Sequence, residues 1–212
     1  MAIYLDSASV REAETAVEMG WIKGITTNPT LLAKSRLPPG TTLQKLAEIS
    51  PGMLYYQLTA SDLEEMLVEG RAAYHMIGEK TMLKIPATAM GFQAVARLSP
   101  EIPCAVTAIY SPAQALVARE AGAKEAIAYV NRATRLLGDG LALVREMASV
   151  LKGSKTEIIA ASIKSPEEAV AALQAGADHL TVPLSLLQEM TTHKLSEETV
   201  ADFAENGRGI LG

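Results

Sequence analysis

Short apolar runs alternate with longer stretches of helical periodicity along the whole chain. The strand-like runs are Ala2–Asp6, Ile22–Asn28, Met53–Leu58, Thr81–Pro86, Cys104–Ile109, Ala126–Val130, Glu157–Ser162 and Asp178–Pro183. Segments such as Ser61–Ile77, Ser111–Ala121, Gly140–Leu151 and Ser165–Ala175 have the spacing of helices with one buried face. Start signals agree. Ser61 with Glu64, Ser111 with Gln114 and Ser165 with Glu168 fit a capping box, in which serine and the side chain three residues on satisfy orphan amides. Pro112 and Pro166 stand at first helical positions, where a missing N–H costs nothing. The Ala-Gly-Ala triplets at 121–123 and 175–177 supply a glycine for the left-handed residue that ends a helix.

Strict β–α alternation predicts a parallel sheet covered by helices, and strands apolar on both faces agree. Eight units in 212 residues fit an α/β fold of the (β/α)8 barrel type, close to the lower size bound of about 200 residues. An open doubly wound sheet would carry a glycine-rich turn after its first strand, and Leu5-Asp-Ser-Ala-Ser9 has none. The expectation is one barrel domain over 1–212. Leu37-Pro-Pro-Gly40 reads as a loop, and Ser196–Asn206 as an additional C-terminal helix capped by Ser196.

Composition narrows the chemistry. Apolar residues make up 49% and aromatics only 4%, so the core must be aliphatic and alanine-rich. A net charge of −5 advertises no basic face, which argues against nucleic acid and anionic membranes as partners. The single Cys104 excludes an internal disulfide, and His75, His179 and His193 lie too far apart for metal-ligand spacing. With no leader-like opening and no apolar run near the roughly 18 residues of a membrane span, the expected compartment is the cytoplasm.

In a barrel, alternate strand residues point inward and chemistry gathers at the C-terminal strand ends. The last inward-capable polar residues are Asp6, Asn28, Gln57, Lys84, Thr107, Tyr129 and Ser162. An apolar core needs none of these, because buried polar groups are costly unless paired. Lys84 interrupts Met82-Leu-Lys-Ile-Pro86. A lysine held inside a barrel is more readily neutral, and a neutral amine can form a Schiff base with a carbonyl. The alternative is a strand-end lysine paired with a carboxylate, for which Asp6 is a candidate. Asp6 and Asn28 also have the chemistry of helix caps. Gln57, Thr107 and Tyr129 could be satisfied core groups or could together hold one water for proton transfer. Arg132, Ser162 and Lys164 follow the late strands, where such barrels often bind phosphate, although surface salt bridges explain the two cations equally well. Cys104, Trp21 and the histidines read as structural.

The sequence resembles the transaldolase family, and within it the small fructose-6-phosphate aldolase-like branch. The likeness covers nearly the whole chain. It rests on Tyr4-Leu-Asp-Ser7, Gly24-Ile-Thr-Thr-Asn-Pro-Thr30, Leu83-Lys-Ile-Pro86, Thr107-Ala-Ile-Tyr110, Tyr129-Val-Asn-Arg132 and Ala160-Ala-Ser-Ile-Lys164. The resemblance implies a cofactor-free class I enzyme without a metal, whose substrates are a small ketone donor and an aldehyde or sugar-phosphate acceptor. By position, Lys84 would form the imine, and Asp6 would orient the lysine and the donor hydroxyls. Thr26 and Asn28 would line the donor pocket. Gln57, Thr107 and Tyr129 would hold the catalytic water, and Arg132, Ser162 and Lys164 the phosphate. Gln57 and Tyr129 match the aldolase branch, where transaldolases usually carry Glu and Phe. Ile127 and Ala128 depart from the small residue and proline common there, and Ile127 shares the facing of Tyr129. The resemblance also implies a homo-oligomer, a pentamer or decamer, with the C-terminal helix on a neighbour. Three functions follow as expectations: an aldolase, a transaldolase passing a dihydroxyacetone unit, or a barrel that binds sugar phosphates without turnover.

Overall fold

The computed structural model describes residues 1–210. Eight parallel strands close on themselves in chain order: β1 (Ala2–Asp6), β2 (Ile25–Thr26), β3 (Leu54–Gln57), β4 (Thr81–Pro86), β5 (Cys104–Ile109), β6 (Glu125–Tyr129), β7 (Glu157–Ala161) and β8 (His179–Val182). Pairing of Ala2 with His179 through Leu5 with Val182 joins the last strand to the first. At least one helix follows every strand, and Lys194–Asn206 comes after the finished barrel. Among the described residues no helix is long and apolar enough to cross a membrane.

Alternation along the strands creates two cores. Outward residues such as Leu5, Leu83, Ile85 and Val106 pack beneath the helices. Inward residues Tyr4, Tyr55, Met82, Ala105, Ile127, Ile159 and Ala161 fill the barrel itself. Alanines at helix contacts, among them Ala94, Ala115, Ala118, Ala169 and Ala172, are fully buried, so small side chains let the helices lie close to the sheet.

Several local expectations change. β2 is two residues long, not Ile22–Asn28: the flanking residues contribute single ladder bonds, among them Lys23 N–H to the Ile3 carbonyl at 2.9 Å and Thr27 N–H to the Tyr55 carbonyl at 3.1 Å. β6 starts at Glu125 and ends at Tyr129, since Val130 already opens the next helix. The Leu37–Gly40 segment is only partly loop, because Pro39 starts the helix Pro39–Ile49 from the first-turn position that proline favours. Asp62, not Ser61, caps Leu63–Ile77. Its carboxylate reaches the amides of both Glu64 and Glu65, and a negative group suits the positive helix end. The last helix begins at Lys194 with His193 as cap, so Ser196 falls in its first turn.

Other expectations stand. Ser111 and Ser165 cap their helices. The reciprocal bonds go one residue further back than in a capping box: Gln114 Oε1 accepts from Tyr110 N–H at 2.9 Å, and Glu168 Oε2 from Lys164 N–H at 2.6 Å. Gly122 (φ 89°) and Gly176 (φ 110°) take the left-handed conformation that ends each helix, where a Cβ is disfavoured.

Candidate active site

A cavity of about 560 Å³ opens at the C-terminal ends of the strands. Asp6, Asn28, Gln57, Lys84, Tyr129, Arg132, Ser162 and Lys164 line it. Thr26 and Thr107 lie directly behind, fully buried and hydrogen-bonded to Asp6 and Tyr129. Residues far apart in sequence converge here because parallel strands all present their C-terminal ends to one face.

Lys84 is 3% exposed, and its Nζ donates to the Thr27 carbonyl at 3.0 Å. It sits beside Gln57, its register partner on β3. The expected pairing with Asp6 is not made: among the described residues no ion pair involves Lys84. Asp6 accepts instead from Thr26 Oγ1 at 2.8 Å. Because Thr26 gives its one hydroxyl proton to Asp6, the 2.6 Å contact between Thr26 and Thr181 must use the proton of Thr181. Two buried threonines thus aim a chain of donors at Asp6. Asn28 does cap a helix, accepting from Leu31 N–H at 3.0 Å, which leaves its amide group for the cavity.

Proton counting also orients the opposite wall. Thr107 donates to the Tyr129 hydroxyl oxygen at 3.1 Å, so the phenol keeps its own proton to give. Gln57 Oε1 is buried with no partner. One free donor and one free acceptor therefore stand among the residues that line the amine's cavity, as a shared water or a substrate hydroxyl requires.

Among the described residues two non-glycine residues are left-handed: Ala108 (φ 58°), near the end of β5 where its register with β6 shifts, and Ser162 (φ 61°), just past β7 and lining the cavity. Each costs about 1–2 kcal/mol. For Ser162 this corrects the sequence reading. The strand ends at Ala161, which fills the inward position, and the left-handed turn carries Ser162 to the cavity outside the strand's alternation. The Arg132 guanidinium lies 5.1 Å from the Tyr129 ring centre, a cation–π contact. Glu168 ties the helix that follows β6 to the loop after β7, accepting from Asn131 Nδ2 at 3.3 Å and from Lys164 N–H. Among the described residues neither Arg132 nor Lys164 joins an ion pair, so the salt-bridge alternative does not account for them.

Sequence reasoning missed Thr181 and Lys34. The alternation of β8 could have given Thr181, two residues after His179. Lys34 follows a four-residue helix in a loop, where no periodicity points. Cys104 is structural: burial pushes its thiol up to about 12, which leaves no reactive thiolate at neutral pH. Spacing suggested no metal ligands, yet folding gathers Glu125, Glu157 and His179, with one atom of each within 4.8 Å of the others. These residues open β6, β7 and β8, at the opposite end of the barrel from the cavity.

Comparison with known proteins supplies the family. Residues 3–209 match the family model described as transaldolase/fructose-6-phosphate aldolase. A probable transaldolase of Hydrogenobaculum sp. is 36% identical over 209 residues, covering 97% of this chain and 96% of that protein. A probable transaldolase of Aquifex aeolicus is 35% identical with the same coverage. Among solved structures, one of mandelate oxidase superposes with a TM-score of 0.62 at 18% identity over 86% of this chain. The match spans only 65% of that longer protein, so the likeness concerns the barrel fold alone. With a model matched across almost its full length and relatives above one-third identity, this chain belongs to the transaldolase/fructose-6-phosphate aldolase family.

Proposed function

We propose that the protein is a class I aldolase that joins or cleaves a small ketone donor, of the dihydroxyacetone or hydroxyacetone type, and an aldehyde such as glyceraldehyde 3-phosphate. The observation that carries this reading is the buried Lys84 amine, paired with no carboxylate among the described residues and opening on a cavity that Gln57 and Tyr129 also line. The amine attacks the donor carbonyl and water leaves, giving an imine. Loss of a proton from the adjacent carbon then gives an enamine, with the imine as electron sink. The enamine carbon attacks the aldehyde, and hydrolysis of the product imine returns the free lysine.

Asp6, held by the threonine chain, accepts from a donor hydroxyl. The Asn28 amide binds another. Tyr129 gives a proton to a water whose own hydrogen bond goes to Gln57 Oε1. Arg132, Ser162 and Lys164 bind the phosphate, for which a guanidinium fork is the better-matched partner. Lys84 would be a buried amine without a role in a barrel that only binds sugar phosphates, which disfavours that reading.

A transaldolase remains the second reading, favoured by the names of the relatives. The two are separated by assaying fructose 6-phosphate with and without erythrose 4-phosphate. An aldolase releases free dihydroxyacetone in both cases. A transaldolase consumes the ketose only when the second aldehyde is present.

The assembly is part of the proposal. The helix Lys194–Asn206 buries no residue, and Leu195, Val200 and Phe203 are 63%, 65% and 66% exposed. Apolar side chains on a helix that covers nothing fit a contact between copies of the chain, a pentamer or decamer. Truncation after His193 is expected to lower the assembly state on a sizing column; full assembly of the truncated protein would place the contact elsewhere.

A further inference from the structure

At the end of the barrel opposite the cavity lies a polar cluster that the proposed chemistry does not use. Glu125 is 3% exposed. Its Oε1 accepts from the Tyr55 hydroxyl at 2.9 Å, while its Oε2 is buried without a partner. Glu157, half-exposed, meets His179 Nε2 at 3.1 Å, and His179 Nδ1 accepts from Ala2 N–H at 2.9 Å. Tyr4 stands edge-on to both the Tyr55 and the His179 rings, with centroids 5.3 Å and 6.0 Å away. Strands β1, β3, β6, β7 and β8 all contribute.

Two carboxylates and an imidazole this close suggest a cation first, and the imidazole argues against one. Nδ1 already accepts a backbone N–H, so the neutral ring carries its proton on Nε2 and donates it to Glu157. A metal-binding histidine needs that Nε2 lone pair and ordinarily donates from its other nitrogen. Here the second nitrogen does the reverse.

The requirements of Glu125 point to a proton. As a carboxylate it would have one hydrogen bond for its two oxygens, almost no water, and the Glu157 charge beside it. The groups facing it are the Tyr4 and Tyr55 hydroxyls, Glu157, His179 and, next to it in sequence, Lys124. Burial first, and the nearby carboxylate second, push the Tyr55 hydroxyl far up, so Tyr55 is a neutral donor and supplies no compensating charge.

We propose that Glu125 carries a proton in the folded protein, as a carboxylic acid beside the Glu157 carboxylate, and that the barrel floor is a built-in proton site. Burial is also the largest influence on its titration and raises it from the ordinary carboxyl range. The sign follows. A carboxyl titrating higher in the folded than in the unfolded chain adds stability that is full below the ordinary carboxyl range and is lost as pH rises through the folded value. Glutamine should imitate the protonated form, accepting from Tyr55 through its oxygen and presenting N–H groups toward Glu157.

The test is infrared spectroscopy of the intact protein together with melting midpoints across pH, for the wild type, Glu125→Gln and Glu157→Gln. The expected result is a protonated-carboxyl stretching band at neutral pH that is lost in Glu125→Gln, kept in Glu157→Gln, and titrated away as the pH of the wild type is raised. The midpoint of Glu125→Gln should also fall less with rising pH than that of the wild type. If Glu125→Gln does not fold, persistence of the band in Glu157→Gln and its titration in the wild type carry the test. No such band in the wild type at neutral pH, or a band that survives in folded Glu125→Gln, overturns the proposal. A melting midpoint that added zinc raises in the wild type but not in Glu125→Gln also overturns it, in favour of a cation site.

Discussion

At the mouth of the barrel, Gln57 Oε1 has no partner, Tyr129 keeps its proton, and Lys84 is held by a single carbonyl. At the floor, the Tyr55 hydroxyl, the Ala2 N–H and His179 Nε2 each point at an acceptor within 3.1 Å. Both layers are polar, and between them lies an inner core of Tyr4, Tyr55, Met82, Ala105, Ile127, Ile159 and Ala161. Polarity alone therefore does not mark a functional site. What separates the layers is whether a cavity reaches the donors and acceptors that are left over. At the mouth one does, and the left-handed Ser162 at its rim adds backbone strain. At the floor the left-over Glu125 Oε2 is buried, and it belongs to a carboxyl that a proton can neutralise.

This contrast gives opposite expectations for activity and stability. Lys84→Met should lower activity by about three orders of magnitude or more, as removal of a covalent nucleophile does, with the melting midpoint unchanged or raised because a buried amine is gone. A stability loss as large as the activity loss would make Lys84 structural. Arg132→Ala should raise KM for fructose 6-phosphate by roughly 10- to 100-fold, the equivalent of a charge-assisted hydrogen bond of about 1.5–3 kcal/mol. KM for unphosphorylated donors should hardly change. Some loss of kcat is expected with both, because the arginine stacks on Tyr129. Equal KM effects would make its role purely structural.

The floor should behave in the reverse way. Glu125→Ala leaves the Tyr55 hydroxyl buried and unpaired and is expected to cost about 1–3 kcal/mol in a denaturant titration, with activity per folded molecule retained. A large activity loss in folded protein would couple the two ends of the barrel. The smallest effect concerns reaction type. Tyr129→Phe removes the hydroxyl proposed to pass a proton, through a water, to the enamine and keeps the ring. Transfer to an added aldehyde should gain on release of free ketone by a few-fold, and adding Gln57→Glu should push the ratio further. A parallel fall of both activities would mean that these residues do not set the outcome.

The barrel itself was legible in the sequence, because strand runs and helix caps repeat with little tertiary interference. Most of the mouth was legible for the same reason: parity along β1, β3, β4, β5 and β6 is enough to place Asp6, Gln57, Lys84, Thr107 and Tyr129 at one end. Parity failed where the backbone leaves the strand. Ser162 reaches the cavity only through a left-handed turn, and Lys34 arrives from a loop. The floor was not legible. Glu125, Glu157 and His179 look like ordinary polar strand starts, and only strand register, which sets Glu125 beside Glu157, together with barrel closure, which sets Ala2 beside His179, brings them together. The missing Asp6–Lys84 pair has a similar origin. Each found a nearer partner, a threonine hydroxyl for one and a main-chain carbonyl for the other, and sequence patterns carry no information on such competition.

The most direct test of the account is borohydride reduction in the presence of dihydroxyacetone, hydroxyacetone or fructose 6-phosphate, followed by peptide mass spectrometry. The predicted result is a donor-dependent mass increase on Lys84, absent in Lys84→Met and unaffected by chelators. An adduct confined to Lys164, Lys34 or Lys80, or no adduct from any donor on protein that turns substrate over, would contradict it.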